Sequence, residues 1–158
     1  MNLDISDPTF VKDLKDSDKY VDLAIDYFLR LEYRVVKPVT KIRPDVSVRN
    51  LYSDRGDFKV IGMDKEYGQG WVDVKHLSYS FPLPYDDIFI CTKGELGKWL
   101  YFLIDRDAKQ AMCIFGNTFR EWKLVSVMAC GGPRSETKEK RMRSFYTAPK
   151  YMFETVKL

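Results

Sequence analysis

Asp57, Asp73 and Lys75 are the residues whose types and spacing carry chemistry in this chain. Hydrolysing a phosphodiester at neutral pH needs a hydroxide-like nucleophile and a means of holding negative charge on the phosphate. A Mg²⁺ ion held by carboxylates supplies both. A nearby lysine orients the water or stabilises the developing charge. The minimum is two carboxylates and one lysine on one surface. The acid-x-Lys tripeptide alone is cheap, since it begins at Asp13, Asp57, Asp73, Asp107, Glu121 and Glu136. Only the one at Asp73 lies inside a hydrophobic strand-like run and follows another such run opened by an acid.

Positioning these groups falls to a hairpin. Residues 57–63 read as one strand, 64–70 as the turn with Gly68 and Gly70, and 71–77 as the returning strand. Strand side chains alternate, so Asp73 and Lys75 share a face and Val72 and Val74 take the other. If Phe58 and Val60 pack with Val72 and Val74, Asp57 joins Asp73 and Lys75, and no lone charge enters the core. A second register uses the literal Pro44-Asp45 and the acid-x-Lys at Asp57, which gives Asp45, Asp57 and Lys59. The Asp73 register is preferred because Trp71-Val72 place its second acid mid-strand, whereas Arg55-Gly56 before Asp57 read as a turn.

The rest of the chain reads as α/β. After an acidic lead-in over 1–16, Ser17 or Asp18 caps a helix running to about Glu32. Its apolar positions are Val21, Ala24, Ile25, Phe28, Leu29 and Leu31. A strand at 33–36 ends at Pro38, and 39–56 hold two strand-like pieces, one of them Asp45–Leu51. Further strands are expected at Ile88–Thr92, Trp99–Asp105 and Gln110–Phe115, the last two as a hairpin around Arg106–Lys109. Phe119–Ala129 reads as a strand pair or bent strand, 131–143 as a polar, basic loop, and 144–158 as a final strand or short helix.

In this order the chain resembles the PD-(D/E)xK nuclease superfamily: a leading helix, "RGDFKVIG", a glycine-containing turn, "WVDVKH" and later "DDIFIC". The resemblance spans roughly residues 17–105. It implies a restriction-endonuclease-like mixed central β-sheet with a leading N-terminal helix. It implies Asp57 and Asp73 as Mg²⁺ ligands, with Mn²⁺ as a substitute, the carbonyl of Val74 as a further ligand, and Lys75 as the base assisting the attacking water. Gly56 rather than Pro precedes Asp57, and Asp73 stands where Glu is commoner. The helix lacks the usual early Glu, so Asp22 or Asp18 takes that place.

Composition narrows the alternatives. The chain has 158 residues, 45% of them hydrophobic and 15% aromatic, which is enough for a core and fits one domain over 1–158. No apolar run approaches the length of a membrane span, and Met1-Asn2-Leu3-Asp4 lacks a signal-peptide pattern, so no membrane partner and a cytoplasmic location are expected. The single His76 excludes sites needing two imidazoles and is expected in the core or at an edge. Cys91, Cys113 and Cys130 form no CxxC pair, so zinc and dithiol chemistry find no support. A Cys91–His76 nucleophile lacks a third orienting group. Gly94–Gly97 lacks the lysine and hydroxyl of a P-loop.

Charge is uneven. Residues 1–27 carry seven Asp against three Lys, 30–59 eight bases against four acids, and Arg134–Lys150 six bases against two acids. Such asymmetry reads either as a solvated surface or as a basic face for a polyanion, for which Lys93, Lys98, Arg134, Lys138, Lys140, Arg141 and Arg143 are the candidate phosphate contacts. Mg²⁺-dependent hydrolysis of DNA, endo- or exonucleolytic, is the expected function. A homodimer suits so compact an enzyme, and the resemblance alone implies a phage or mobile-element origin. The rivals are a non-catalytic nucleic-acid-binding module on the same fold and a structural or interaction protein.

Overall fold

The computed structural model describes residues 8–38, 56–62, 69–130 and 140–158. Helix α1 (Pro8–Arg30) leads, followed by β1 (Arg34–Val36), β2 (Phe58–Ile61), β3 (Gln69–His76), β4 (Asp87–Thr92), β5 (Leu100–Ile104), β6 (Gln110–Phe115), β7 (Lys123–Cys130), β8 (Lys140–Pro149) and β9 (Glu154–Lys157). The strand-like pieces expected within 39–55, and Asp45 with them, lie outside the described residues.

α1 starts earlier than the apolar stripe indicates. Residues 8–16 carry little hydrophobic periodicity, yet Pro8 suits a first helical turn and Leu, Lys and Asp are tolerated in the turns that follow. Val21, Ala24 and Phe28, at i, i+3 and i+7, are buried. Leu29 and Leu31, expected on the same stripe, are each 51% exposed. The helix ends in a Schellman turn. Glu32 takes φ 67°, the Glu32 N–H donates to the Leu29 carbonyl at 3.0 Å, and the Tyr33 N–H donates to that of Phe28 at 3.1 Å. The Phe28 and Tyr33 rings meet edge to face at 5.8 Å and supply the apolar contact of the motif.

Two sheets follow. The larger has strand order β1-β2-β3-β5-β6-β9, and the smaller β4-β8-β7. β3 and β5 are parallel, and every other pairing is antiparallel, so the larger sheet is mixed. The expected β2–β3 hairpin is present, with Phe58 opposite Val72 and Val60 opposite Gly70. Gly70 therefore belongs to the strand rather than the turn. A Cβ there would lie 2.3 Å from that of Trp99, so the close approach of Trp99 requires glycine.

β5 is buried at all five positions, as a strand covered on both faces must be. Leu100, Phe102 and Ile104 join Phe58, Val60, Val72 and the α1 stripe in one core. Tyr101 packs on the other side with Ile90, Cys91, Ile114, Trp122 and Ala148, and Leu103 with Leu83, Ile88 and Met112. The layers are thus α1, the large sheet and the small sheet. Each fully buried side chain among them contributes about 1.5–3 kcal/mol by area.

The C-terminal reading changes most. The loop expected over 131–143 gives way at Lys140, where β8 begins and runs to Pro149. Its partner β7 forms the straight part of the expected 119–129 segment, after a 3₁₀ turn at Gly116–Glu121. Among the described residues, no helix is long and apolar enough to cross a membrane.

Candidate active site

Alternation along β3 sends Val72 and Val74 towards α1 and leaves Asp73 and Lys75 on the face turned to the small sheet. Asp73 stands opposite Tyr101 in register, and Lys75 opposite Leu103. Asp57 precedes β2 at the position that would face Asp73. Its N–H donates to the Val72 carbonyl at 2.9 Å, and its Oδ2 accepts the Val74 N–H at 2.7 Å. The hairpin thus sets Asp73 beside Lys75 and ties the Asp57 carboxylate to the backbone of the same strand.

The Lys75 ammonium lies 3.0 Å from Asp73 Oδ2 and 3.1 Å from Glu95 Oε1. Glu95 was not anticipated from the sequence. It ends the 3₁₀ turn Lys93–Glu95, and its Oε2 accepts the Thr92 N–H at 2.8 Å. Beneath it the buried Tyr101 hydroxyl donates to the Glu95 carbonyl at 2.8 Å and accepts the Lys98 N–H at 3.3 Å. Tyr101 therefore pins the turn that delivers Glu95. The one sequence signal was the Thr92-x-x-Glu95 spacing of a capping box.

Electrostatics follow from burial. Asp73 is only 15% exposed, and desolvation raises its pKa above the ordinary aspartate value although Lys75 opposes the shift. Desolvation works against the Lys75 charge as well, but Asp73 and Glu95 together outweigh it and hold the pKa above that of a free lysine. Burial also opposes the Glu95 charge, while Lys75 and the Thr92 N–H overcome it and lower that pKa. Lys75 is accordingly an ammonium group in this arrangement. In that form it offers charge and hydrogen-bond donors.

Asp73 Oδ2 is buried, and the Lys75 ammonium 3.0 Å away is its partner. A buried carboxylate oxygen favours a cation beside it, and here the ammonium takes that place. Mg²⁺ needs only one or two protein carboxylates beside water and phosphate oxygens. Among the described residues no group of three His, Cys, Asp or Glu side chains is placed to hold a metal by itself.

Other expected residues fall elsewhere. Asp22 pairs with Lys37 at 2.9 Å, and Asp18 lies 3.6 Å from the same ammonium. α1 covers the face of the sheet opposite Asp73, so neither acid is brought to the group. His76 is exposed, stacks on Tyr20 at 3.8 Å, and places Nε2 3.0 Å from the Arg106 carbonyl. Cys91 is buried between the sheets, away from the His76 ring's partners. Lys59 is half-buried on β2, and Arg134 and Lys138 lie outside the described residues.

No protein-family model, curated protein or solved structure matches this chain.

Proposed function

We propose that this chain is a nuclease that hydrolyses DNA phosphodiesters with a divalent ion, Mg²⁺ or Mn²⁺ in its place, on a PD-(D/E)xK, restriction-endonuclease-like scaffold. The observation that carries the reading is the Asp73 carboxylate. It is buried, lies 3.0 Å from the Lys75 ammonium, and belongs to the strand whose Val74 N–H the Asp57 carboxylate accepts. The leading helix and the mixed sheet are of the kind the resemblance implies.

Asp57 and Asp73 would hold the ion, and the Val74 carbonyl is the further donor the resemblance implies. When bound, the ion lowers the pKa of a water molecule and offsets phosphate charge. Lys75 directs its N–H groups at the attacking water or at a non-bridging phosphate oxygen, where charge grows in the transition state. Glu95 fixes the direction of that ammonium, and Tyr101 fixes Glu95. Asp22 is not part of this ligand set.

A second reading, a non-catalytic nucleic-acid-binding module, is favoured by one observation. Lys75 already has two carboxylate partners, so the group balances its charge without a metal.

Metal titration and cleavage assays separate the two. The nuclease reading expects Mg²⁺ or Mn²⁺ binding that Asp73→Ala abolishes, divalent-dependent cutting of duplex, single-stranded or branched DNA, and a loss of about a hundredfold or more in Lys75→Ala. It also expects Asp45→Ala to stay largely active. A wild type inert on all three DNA forms with both ions selects the binding module, and an inactive Asp45→Ala beside an active Asp73→Ala moves the site to Asp45, Asp57 and Lys59.

A further inference from the structure

The small sheet turns Ile88, Tyr146 and Ala148 towards the large one. Alternation and register put Phe89, Lys123, Arg143, Phe145 and Thr147 on its other face. Phe89 is 51% exposed there. Its ring lies 5.3 Å from that of Phe145, and the Arg143 guanidinium sits over the Phe145 ring at 5.2 Å. Thr147 is buried among them. The described charges on that face are Lys123 and Arg143 against Asp87.

Aromatic rings and a guanidinium plane on a basic sheet suit one chemistry. Unpaired bases stack on the rings whatever their sequence, and the phosphodiester chain is held by the cations. Bases within a duplex are stacked on each other and do not present those faces. The charge excess selects a polyanion, and the ring pair selects one with exposed bases.

We infer that this outer sheet face binds an unpaired nucleic-acid strand, stacked on Phe89 and Phe145 with phosphates at Arg143 and Lys123. That binding does not rest on the nuclease reading, because Asp73 and Lys75 lie on the other side of the small sheet.

The test is fluorescence anisotropy with a short oligothymidylate, an oligouridylate and a duplex of equal length, in EDTA so that nothing is cut. The oligothymidylate should bind more tightly than the duplex. Phe89→Ala should weaken it about tenfold or more, the scale of losing one stacked base, and Phe89→Tyr should restore it. Arg143→Gln should reduce the salt dependence by about 0.7 in log–log slope, one phosphate contact on a single strand. Equal or tighter duplex binding overturns the inference, as does a folded Phe89→Ala that binds like wild type. A stronger response with oligouridylate keeps the platform and assigns it to RNA. Binding that survives in a wild type unable to cut DNA sinks the nuclease reading and leaves this face standing.

Discussion

The Asp57 carboxylate accepts the backbone N–H of Val74, the amide that joins Asp73 to Val74, at 2.7 Å. One side chain thus closes the β2–β3 ladder where β2 begins and points the strand that bears both other site residues. A charge-assisted bond of this kind contributes about 1.5–3 kcal/mol. Asp57→Ala should therefore unfold at lower denaturant by that amount, whereas Asp57→Asn keeps an acceptor and should lose less than about 1 kcal/mol. Both should bind Mg²⁺ more weakly. Equal stability of Asp57→Ala and wild type would show that the bond does not tie the strands, and unchanged Mg²⁺ affinity in Asp57→Asn would remove Asp57 from the ligand set.

Glu32 occupies the left-handed position that closes α1, at φ 67°. Glycine reaches that region without the Cβ clash that any other side chain carries. Glu32→Gly should stabilise the protein by about 0.5–1 kcal/mol, seen as a rise of about 1–4 °C in Tm for a chain of this size. Glu32→Val, branched at Cβ, should lower Tm. If the two variants melt together, the turn is not strained and the motif contributes nothing.

Cys91 lies between the two sheets, and burial pushes its thiol pKa up to about 11, against the hydrogen bond from the Tyr101 side. In the unfolded chain the thiol ionises near 9.0. Above that pH the unfolded state has lost a proton that the folded state retains. The contribution of Cys91 is therefore complete below pH 9 and falls away as pH rises towards 11. The decline is at most about 1.4 kcal/mol per pH unit. Denaturant midpoints measured from pH 8 to 10.5 should drop more steeply in wild type than in Cys91→Ala. Parallel curves would mean that the thiol ionises as readily in the folded protein as in the unfolded one.

The hairpin was legible in the sequence because its two-residue alternation is written in Phe58, Val60, Val72 and Val74 themselves, and burying those four dictates where Asp57, Asp73 and Lys75 go. What a residue meets across the fold was not legible. Gly70 read as a turn residue, since nothing near it in sequence announces that Trp99 lies against it. Asp22 suited a ligand by type, but which face of the sheet α1 covers depends on the core that Val21, Ala24 and Phe28 enter, not on Asp22. The segment from Lys140 to Arg143 looked like loop because its charges hide a strand pattern that only pairing with β7 reveals. Glu95 is twenty positions from Lys75 in sequence and reaches it only because Tyr101 pins the turn between β4 and β5.

Glu95 gives the sharpest test of how the site works. Its Oε1 holds Lys75 and its Oε2 is fixed by Thr92, so the ammonium is aimed by a carboxylate that is itself aimed. Glu95→Gln keeps the shape and the bond to Thr92 but removes the charge that orients Lys75. Both side chains are partly exposed, so the ion pair adds little stability, below about 1 kcal/mol, and folding should be nearly unchanged. The cleavage rate should fall by about tenfold or more while Mg²⁺ affinity changes little, because Glu95 acts through Lys75. Residues that act as one unit are not additive. The Lys75→Ala, Glu95→Gln double variant should therefore be no slower than Lys75→Ala alone. A double variant slower by the product of the two single losses would show Glu95 working independently of Lys75, and a Glu95→Gln rate equal to wild type would leave its contact with the ammonium without a catalytic role.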